Sequence, residues 1–189
     1  MTRPLRKDAA ERRLALLAAA AGAFAELGFD VPLEVIAERA GVGRATLYRN
    51  FADRGELAAA VFKGQLDDLD AQMQAHAEDP RIFFAFIDAL ADLLTANAGL
   101  DAALREARSP EALSEMRERL VEVGRKPLER TRAAGLVRAD LTMMDIRIIA
   151  VILGAGAGRP DPVDRTAFGI RIRALLLDGL RVRAPEVAE

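Results

Sequence analysis

The chain has no cysteine and no tryptophan, and only one histidine and one tyrosine among its 189 residues. Without cysteine there is no disulfide framework, no thiolate nucleophile and no Cys-based zinc site, a composition that suits a reducing cytoplasm. The single histidine, His76, leaves no cluster of His, Asp and Glu with metal-ligand spacing. It falls at a helix C-terminus beside Glu78 and Asp79, where a cationic ring complements the dipole. Sparse aromatics and few β-branched runs argue against an all-β fold. No stretch approaches the ~20 apolar residues of a membrane span. No phosphate loop of the form G-x-x-x-x-G-K-[ST] is present, and "GAGAG" follows an apolar helix rather than a strand, with no dinucleotide fingerprint around it. Ser109 and Ser114 stand in a capping context with no base identifiable nearby. The chain is accordingly read as no enzyme, with no catalytic residues, no cofactor and no metal.

What is abundant is Ala and Leu, within an apolar fraction of 51%. Both are good helix formers, and the expected fold class is all-α. The net charge of −2 is a poor sign of nucleic-acid binding until it is resolved along the chain. Residues 1–57 carry nine Lys/Arg against eight Asp/Glu, and the remainder 18 against 21. Anion binding must therefore come from local placement. "RPLRKDAAERR" followed by "LALLAAAAGAFA" has the outward form of a secretory signal, with Ala23-Phe24-Ala25 as its cleavage site. Asp8 and Glu11 interrupt that basic region, however, and Leu14, Leu17, Ala18, Ala21, Phe24 and Ala25 mark one face of a helix. The helical reading is preferred.

Capping and turn residues divide the chain into helices. The first is expected from about Ala9 to Leu27, with Gly28 in the left-handed position after it and Phe29 packing back. Pro32 favours the first turn of a second helix, which Gly41 ends. "GRATLYRNF" gives a short third helix, and Asp53 caps a long fourth one through about His76. "RIFFAFIDALADLLTANAG" is strongly apolar and helical. Ser109 and Pro110 open a helix that Pro127 should kink or divide. "TMMDIRIIAVILGAGAG" is apolar nearly all round and so expected to be buried on most sides. "GAGAGRPDP" is the clearest loop, and "VDRTAFGIRIRALLLDGLRV" the last helix.

One absence is local: from Arg39 to Ala52 there is no acidic residue, although 30% of the chain is charged. Residues 33 to 51 have the pattern of a helix-turn-helix. Ile36 and a small Ala37 face inward, Gly41 permits the tight turn, and Val42, Leu47 and Phe51 anchor the two helices. With Leu47 and Phe51 inward, Arg44, Thr46, Tyr48 and Arg49 lie around the outer side. Arg carries a planar fork of donors suited to guanine or phosphate, and the Tyr hydroxyl is a neutral donor to phosphate. Arg54 adds charge where helix N–H groups already favour a phosphate.

The stretch "LLAAAAGAFAELGFDVPLEVIAERAGVGRATLYRNFADRGELAAAV", about residues 10–62, resembles the DNA-binding domain of the tetracycline-repressor (TetR) family of bacterial regulators. The "IAERAGV…TLYRNF" core is the specific part. The resemblance implies a three-helix head at residues 9–57 on a larger helical ligand-binding and dimerisation domain at 58–189. It implies that "GRATLYRN" enters the major groove, that Tyr48 contacts phosphate, and that Thr46 and Arg49 face bases or backbone. It places Gly43, Arg44 and Asn50 in the same interface, Arg54 where the family usually has a phosphate-binding lysine, and Arg3, Arg6 and Lys7 in a basic arm. The chain departs from the pattern at Val31-Pro32, where a Ser/Thr cap is common, and at Gly43 and Asn50, where Ser and His are frequent.

The remaining two thirds resembles a recurring C-terminal type of that family in "AGLVRADLTMMDI" and "IRALLLDGLRV". A single helix-turn-helix reads only a few base pairs, so two are needed ~34 Å apart on an inverted repeat of double-stranded DNA. The last two helices, with small residues and broad apolar faces, are the candidates for a homodimer interface. Phe83, Phe86, Leu90, Met116, Leu120 and Ile148 are candidate lining for a small-molecule effector site, with Phe84, Met143 and Met144 nearby, although such a stripe is more often core. The resulting expectation is a cytoplasmic transcriptional regulator, a repressor released by an effector. The alternatives are a helix-turn-helix used as a protein-interaction module, or a DNA-binding regulator with no effector.

Overall fold

An Ala- and Leu-rich chain with regularly placed caps folds as helices, and a computed structural model describes residues 3–97, 110–157 and 162–182. The described residues form α1 (Arg3–Leu27), α2 (Leu33–Arg39), α3 (Arg44–Asn50), α4 (Arg54–Ala75), α5 (Ile82–Ala96), α6 (Pro110–Ala133), α7 (Met143–Ala157) and α8 (Pro162–Leu180). The one extended pairing among them is an isolated antiparallel bridge between Val137 and Arg181. None of these helices is long and apolar enough to cross a membrane. Two compact units divide the chain. The first holds α1 to α3, the first half of α4 and the start of α6; the second holds the rest of α4, α5, most of α6, α7 and α8.

In the first unit Leu16, Ala20, Ala23 and Phe24 form the buried side of α1, whereas Leu14 is 65% exposed. The inward face is thus rotated from the one expected over Leu14, Leu17, Ala18 and Ala21. With alanine on every side, the helix offers little contrast from which periodicity can be read. Gly28 closes α1 with φ 81°, and Phe29 stacks back on Phe24 at 4.5 Å between centroids. Pro32 is the N-cap of α2. The α2 terminus is a Schellman motif: the Val42 N–H bonds the Ala37 carbonyl and the Gly41 N–H the Glu38 carbonyl, both at 3.0 Å. Gly41 sits at φ 65°, which only glycine adopts without strain. Asp53 caps α4 by accepting from the Glu56 N–H at 2.8 Å, while the Glu56 carboxylate accepts from the Ala52 N–H at 2.6 Å.

In the second unit Ile82, Phe83, Phe86, Ile87 and Leu90 of α5 are buried, and the rings of Phe83 and Phe86 stack at 5.9 Å. Gly124 lets α6 approach this face. A Cβ there would stand 2.8 Å from Phe86 Cζ and 3.0 Å from Ile146 Cδ1. The fully buried Thr131 hydroxyl accepts from the Phe83 N–H at 3.0 Å, supplying a partner at the start of α5. Arg173 of α8 bonds the Asp92 carboxylate of α5 at 2.5 Å.

Three expectations change here. Of the kink or division expected at Pro127, the division does not occur, since α6 continues through it. The missing N–H removes only the bond to the Val123 carbonyl, and the burial of Val123, Leu128 and Thr131 on either side outweighs that loss. α7 buries Ile146, Ile149 and Leu153 but leaves Val151 72%, Met144 58% and Ile148 49% exposed. Its all-round apolar character is therefore not matched by burial within one chain. Finally, residues 154–157 of the expected Gly-rich loop belong to α7, and α8 begins at Pro162. Ser109 lies outside the described residues.

Candidate nucleic-acid interface

The helix-turn-helix places its chemistry by burying its apolar residues. Leu47 is 1% exposed and Phe51 fully buried, which turns Arg44, Tyr48 and Arg49 outward and leaves Thr46 and Asn50 half-buried. Gly43 is the N-cap of α3 and makes no side-chain capping bond. Arg44 stacks over the Tyr48 ring, its Cζ 5.5 Å from the centroid, and pairs with Glu34 of α2 at 3.1 Å. Both partners of that pair are well exposed, so it is weak and easily exchanged for a phosphate. The Arg49 side chain lies along α3, with Nε donating to the Ala45 carbonyl at 3.1 Å and Nη2 to Thr46 Oγ1 at 3.2 Å. Asn50 Nδ2 donates to the Thr46 carbonyl at 2.8 Å. The outer side of α3 thus carries two guanidiniums, a phenol and a hydroxyl. Its nearest carboxylate, Glu34, is already engaged with Arg44.

Two other arginines are placed differently from the sequence reading. The Arg54 guanidinium, expected on a phosphate, donates through Nη1 to the carbonyls of Phe29 and Val31 and is half-buried. Arg13 received no role from the sequence. It donates to the Asn50 carbonyl at 3.1 Å and lies over the Phe51 ring at 4.4 Å, closing the C-terminal end of α3. No local signal could have marked it, since its partner is 37 positions away. The backbone of Arg3, Arg6 and Lys7, expected as an arm, is part of α1.

The residues expected to line an effector site are dispersed. Phe83, Phe86, Leu90 and Leu120 are buried core, Ile148 is exposed, and Met116 is half-buried in the other unit. The second unit does contain a cavity of about 340 Å³. None of those six borders it. Buried Met73, Ile82, Val123 and Pro127 form its apolar floor, and Asp70, Gln74, Arg119, Glu122 and Lys126 are its polar lining. Arg119 holds Asp67 at 2.9 Å and Asp70 at 2.8 Å. Burial pushes the Asp70 carboxyl up, but hydrogen bonds from Gln74 and Arg119 and the charges of Arg119 and Lys126 outweigh it, so it ionises below the usual carboxylate range. The hydrogen bonds to Asp70 and Asp67 raise the Arg119 pKa in turn.

Comparison with known proteins covers nearly the whole chain. The family model for bacterial regulatory proteins of the tetR family matches residues 16–61. A second, for the C-terminal domain of SbtR-like transcriptional regulators, matches residues 78–182. A solved TetR transcriptional regulator from Streptomyces coelicolor is 32% identical with a TM-score of 0.64, over 91% of this chain and 99% of that one. The TetR transcription regulatory protein from Mycobacterium vanbaalenii is 31% identical with a TM-score of 0.63, over 95% and 100%. A TetR-family regulator from Pectobacterium atrosepticum is 26% identical with a TM-score of 0.65, over 97% and 99%. No curated protein sequence matches.

Proposed function

The chain belongs to the TetR family and is a DNA-binding transcriptional regulator; from that premise we propose a homodimeric repressor that a small molecule releases from an inverted-repeat operator. The observation that carries the DNA-reading assignment is the outer side of α3, where Arg44, Tyr48 and Arg49 are exposed together beside half-buried Thr46. Arg49 reads a base edge, Arg44 exchanges Glu34 for phosphate, and Tyr48 donates its hydroxyl to the backbone. Gly43, Thr46 and Asn50 complete the contact surface. A protein-interaction role would have no need of this cationic surface, whose own helix carries no carboxylate and whose neighbouring Glu34 is paired with Arg44.

The homodimer is supported by the exposed apolar side chains on α7 and α8: Met144, Ile148, Val151, Ile170 and Leu175. Exposed apolar residues on two neighbouring helices suit a partner, and a second copy gives the two recognition helices that a palindrome needs. The effector is assigned to the cavity on the second unit, whose volume and mixed lining suit a small amphipathic molecule. α4 starts at Arg54 in the head and carries Asp70, Met73 and Gln74 at the cavity, so a ligand that displaces its second half alters the spacing of the two heads. The protein acts in the cytoplasm, where the DNA is.

The test is stoichiometry by sedimentation on a duplex selected from a random pool. Two protomers per duplex, and a dimer without DNA, are expected. A monomer that binds a non-repeated site would overturn the dimeric repressor.

A further inference from the structure

We infer that Arg13 and Arg54, neither of them in the recognition helix, fix its pose by holding the C-terminal end of α3 and the entry to α2. The inference rests on the DNA-reading assignment of α3 and adds two positioning residues to it. Arg54 opens α4, where a cation opposes the helix dipole, so its charge needs a compensating partner. The partners are the carbonyls of Phe29 and Val31, in the connection between α1 and α2. Phe29 and Val31 are both buried, and carbonyls there need a donor that neither helix supplies. Pro32, the α2 N-cap, follows directly, so the guanidinium sets where α2 begins. The Schellman turn then transmits that placement to α3. Arg13 acts from the other side, where its charge lies at the negative end of α3 and its plane covers Phe51.

Phosphate contact and positioning differ in what they do to salt dependence and sequence preference. A lost phosphate contact weakens every duplex alike and lowers the slope of log affinity against log salt by roughly one. A displaced recognition helix loses the operator and not the scrambled duplex. The experiment measures both duplexes across a salt series by fluorescence anisotropy, for native protein, Arg54→Lys, Arg54→Gln and Arg13→Lys. The temperature is one at which circular dichroism shows each variant fully helical, which removes mere destabilisation as a cause. Arg54→Lys and Arg13→Lys keep the charge but lose the planar fork. Each is expected to lower operator affinity by about tenfold, with scrambled-duplex affinity and salt slope unchanged.

Native-like operator binding by Arg54→Lys overturns the inference for Arg54. So does a slope reduced by about one in Arg54→Gln with both duplexes weakened equally. Should the Arg54 variants not fold, Arg13→Lys, which leaves the turn before α2 intact, carries the same comparison. A native protein that selects no duplex and binds none at low salt overturns the DNA-reading assignment, and this inference with it.

Discussion

The outer side of α3 and the open faces of α7 and α8 are both exposed, yet they are built from opposite chemistry. Around α3 the apolar anchors of the helix-turn-helix are inside: Ile36, Leu47 and Phe51 are each 1% exposed or less. What remains outside is cationic and hydroxylic. On α7 and α8, Ile146, Ile149, Leu153 and Leu180 are buried but other apolar residues stay out, Val151 at 72% and Ile170 at 66% exposed. On the proposed reading the helix-turn-helix offers its polar groups to a polyanion, whereas the second unit offers apolar surface to a second copy. Exposure alone says little about function. What an exposed face is made of says which partner completes it.

Mutations can break this contrast from either side. Phe86→Ala removes the ring that packs against Gly124 in the second unit, and we expect a loss of about 3–5 kcal/mol in urea unfolding. Val151→Glu places like charges across a two-fold contact, and a dimer weakened by on the order of a hundredfold should be seen in sedimentation. If that variant remains as dimeric as the native protein, the open face is not the interface. Arg49→Ala should cost roughly 1–3 kcal/mol at the operator base it reads, measured by anisotropy against single-base variants, with little change in thermal stability. Asp53→Ala should cost about 1 kcal/mol in thermal unfolding through loss of the α4 cap.

The smallest effect concerns pH. The Asp70 pKa is lowered in the folded protein, so its pairing with Arg119 contributes fully above the unfolded carboxylate range. That contribution is lost as pH falls through the depressed value, in the region below about pH 4. Asp70→Asn should therefore lower stability by less than about 1 kcal/mol at pH 7 and show no difference from the native protein in strong acid.

Much of the head was readable because its signals are local. Gly41, Val42, Leu47 and Phe51 fall within one short window, and each has a backbone or burial requirement that its residue type meets. The same holds for the caps at Gly28 and Asp53. α1 was placed correctly as a helix but on the wrong face, because alanine fills positions 18 to 21 and blurs the stripe. α7 was read as enclosed because its apolar residues cover the whole circumference, and a single sequence does not distinguish burial by its own chain from burial by a copy. The roles of Arg13 and Arg54 were beyond reach, since the carbonyls they hold lie 37, 25 and 23 positions away. The six residues taken as effector lining were chosen for apolarity. Burial in the core uses up that property at Phe83, Phe86, Leu90 and Leu120, while Met116 is half-buried and Ile148 exposed, and the observed cavity has charged residues in its lining.

On the proposed reading the outer side of α3 reads duplex DNA as one of two copies. Enrichment of a random duplex pool on the purified protein, alongside an Arg44→Ala, Tyr48→Phe, Arg49→Ala variant, tests it most directly. An inverted repeat with half-sites one helical turn, ~34 Å, apart is expected for the native protein and is expected to be lost in the variant. Selection of the same repeat by the variant, or of no sequence by the native protein at low salt, would contradict it.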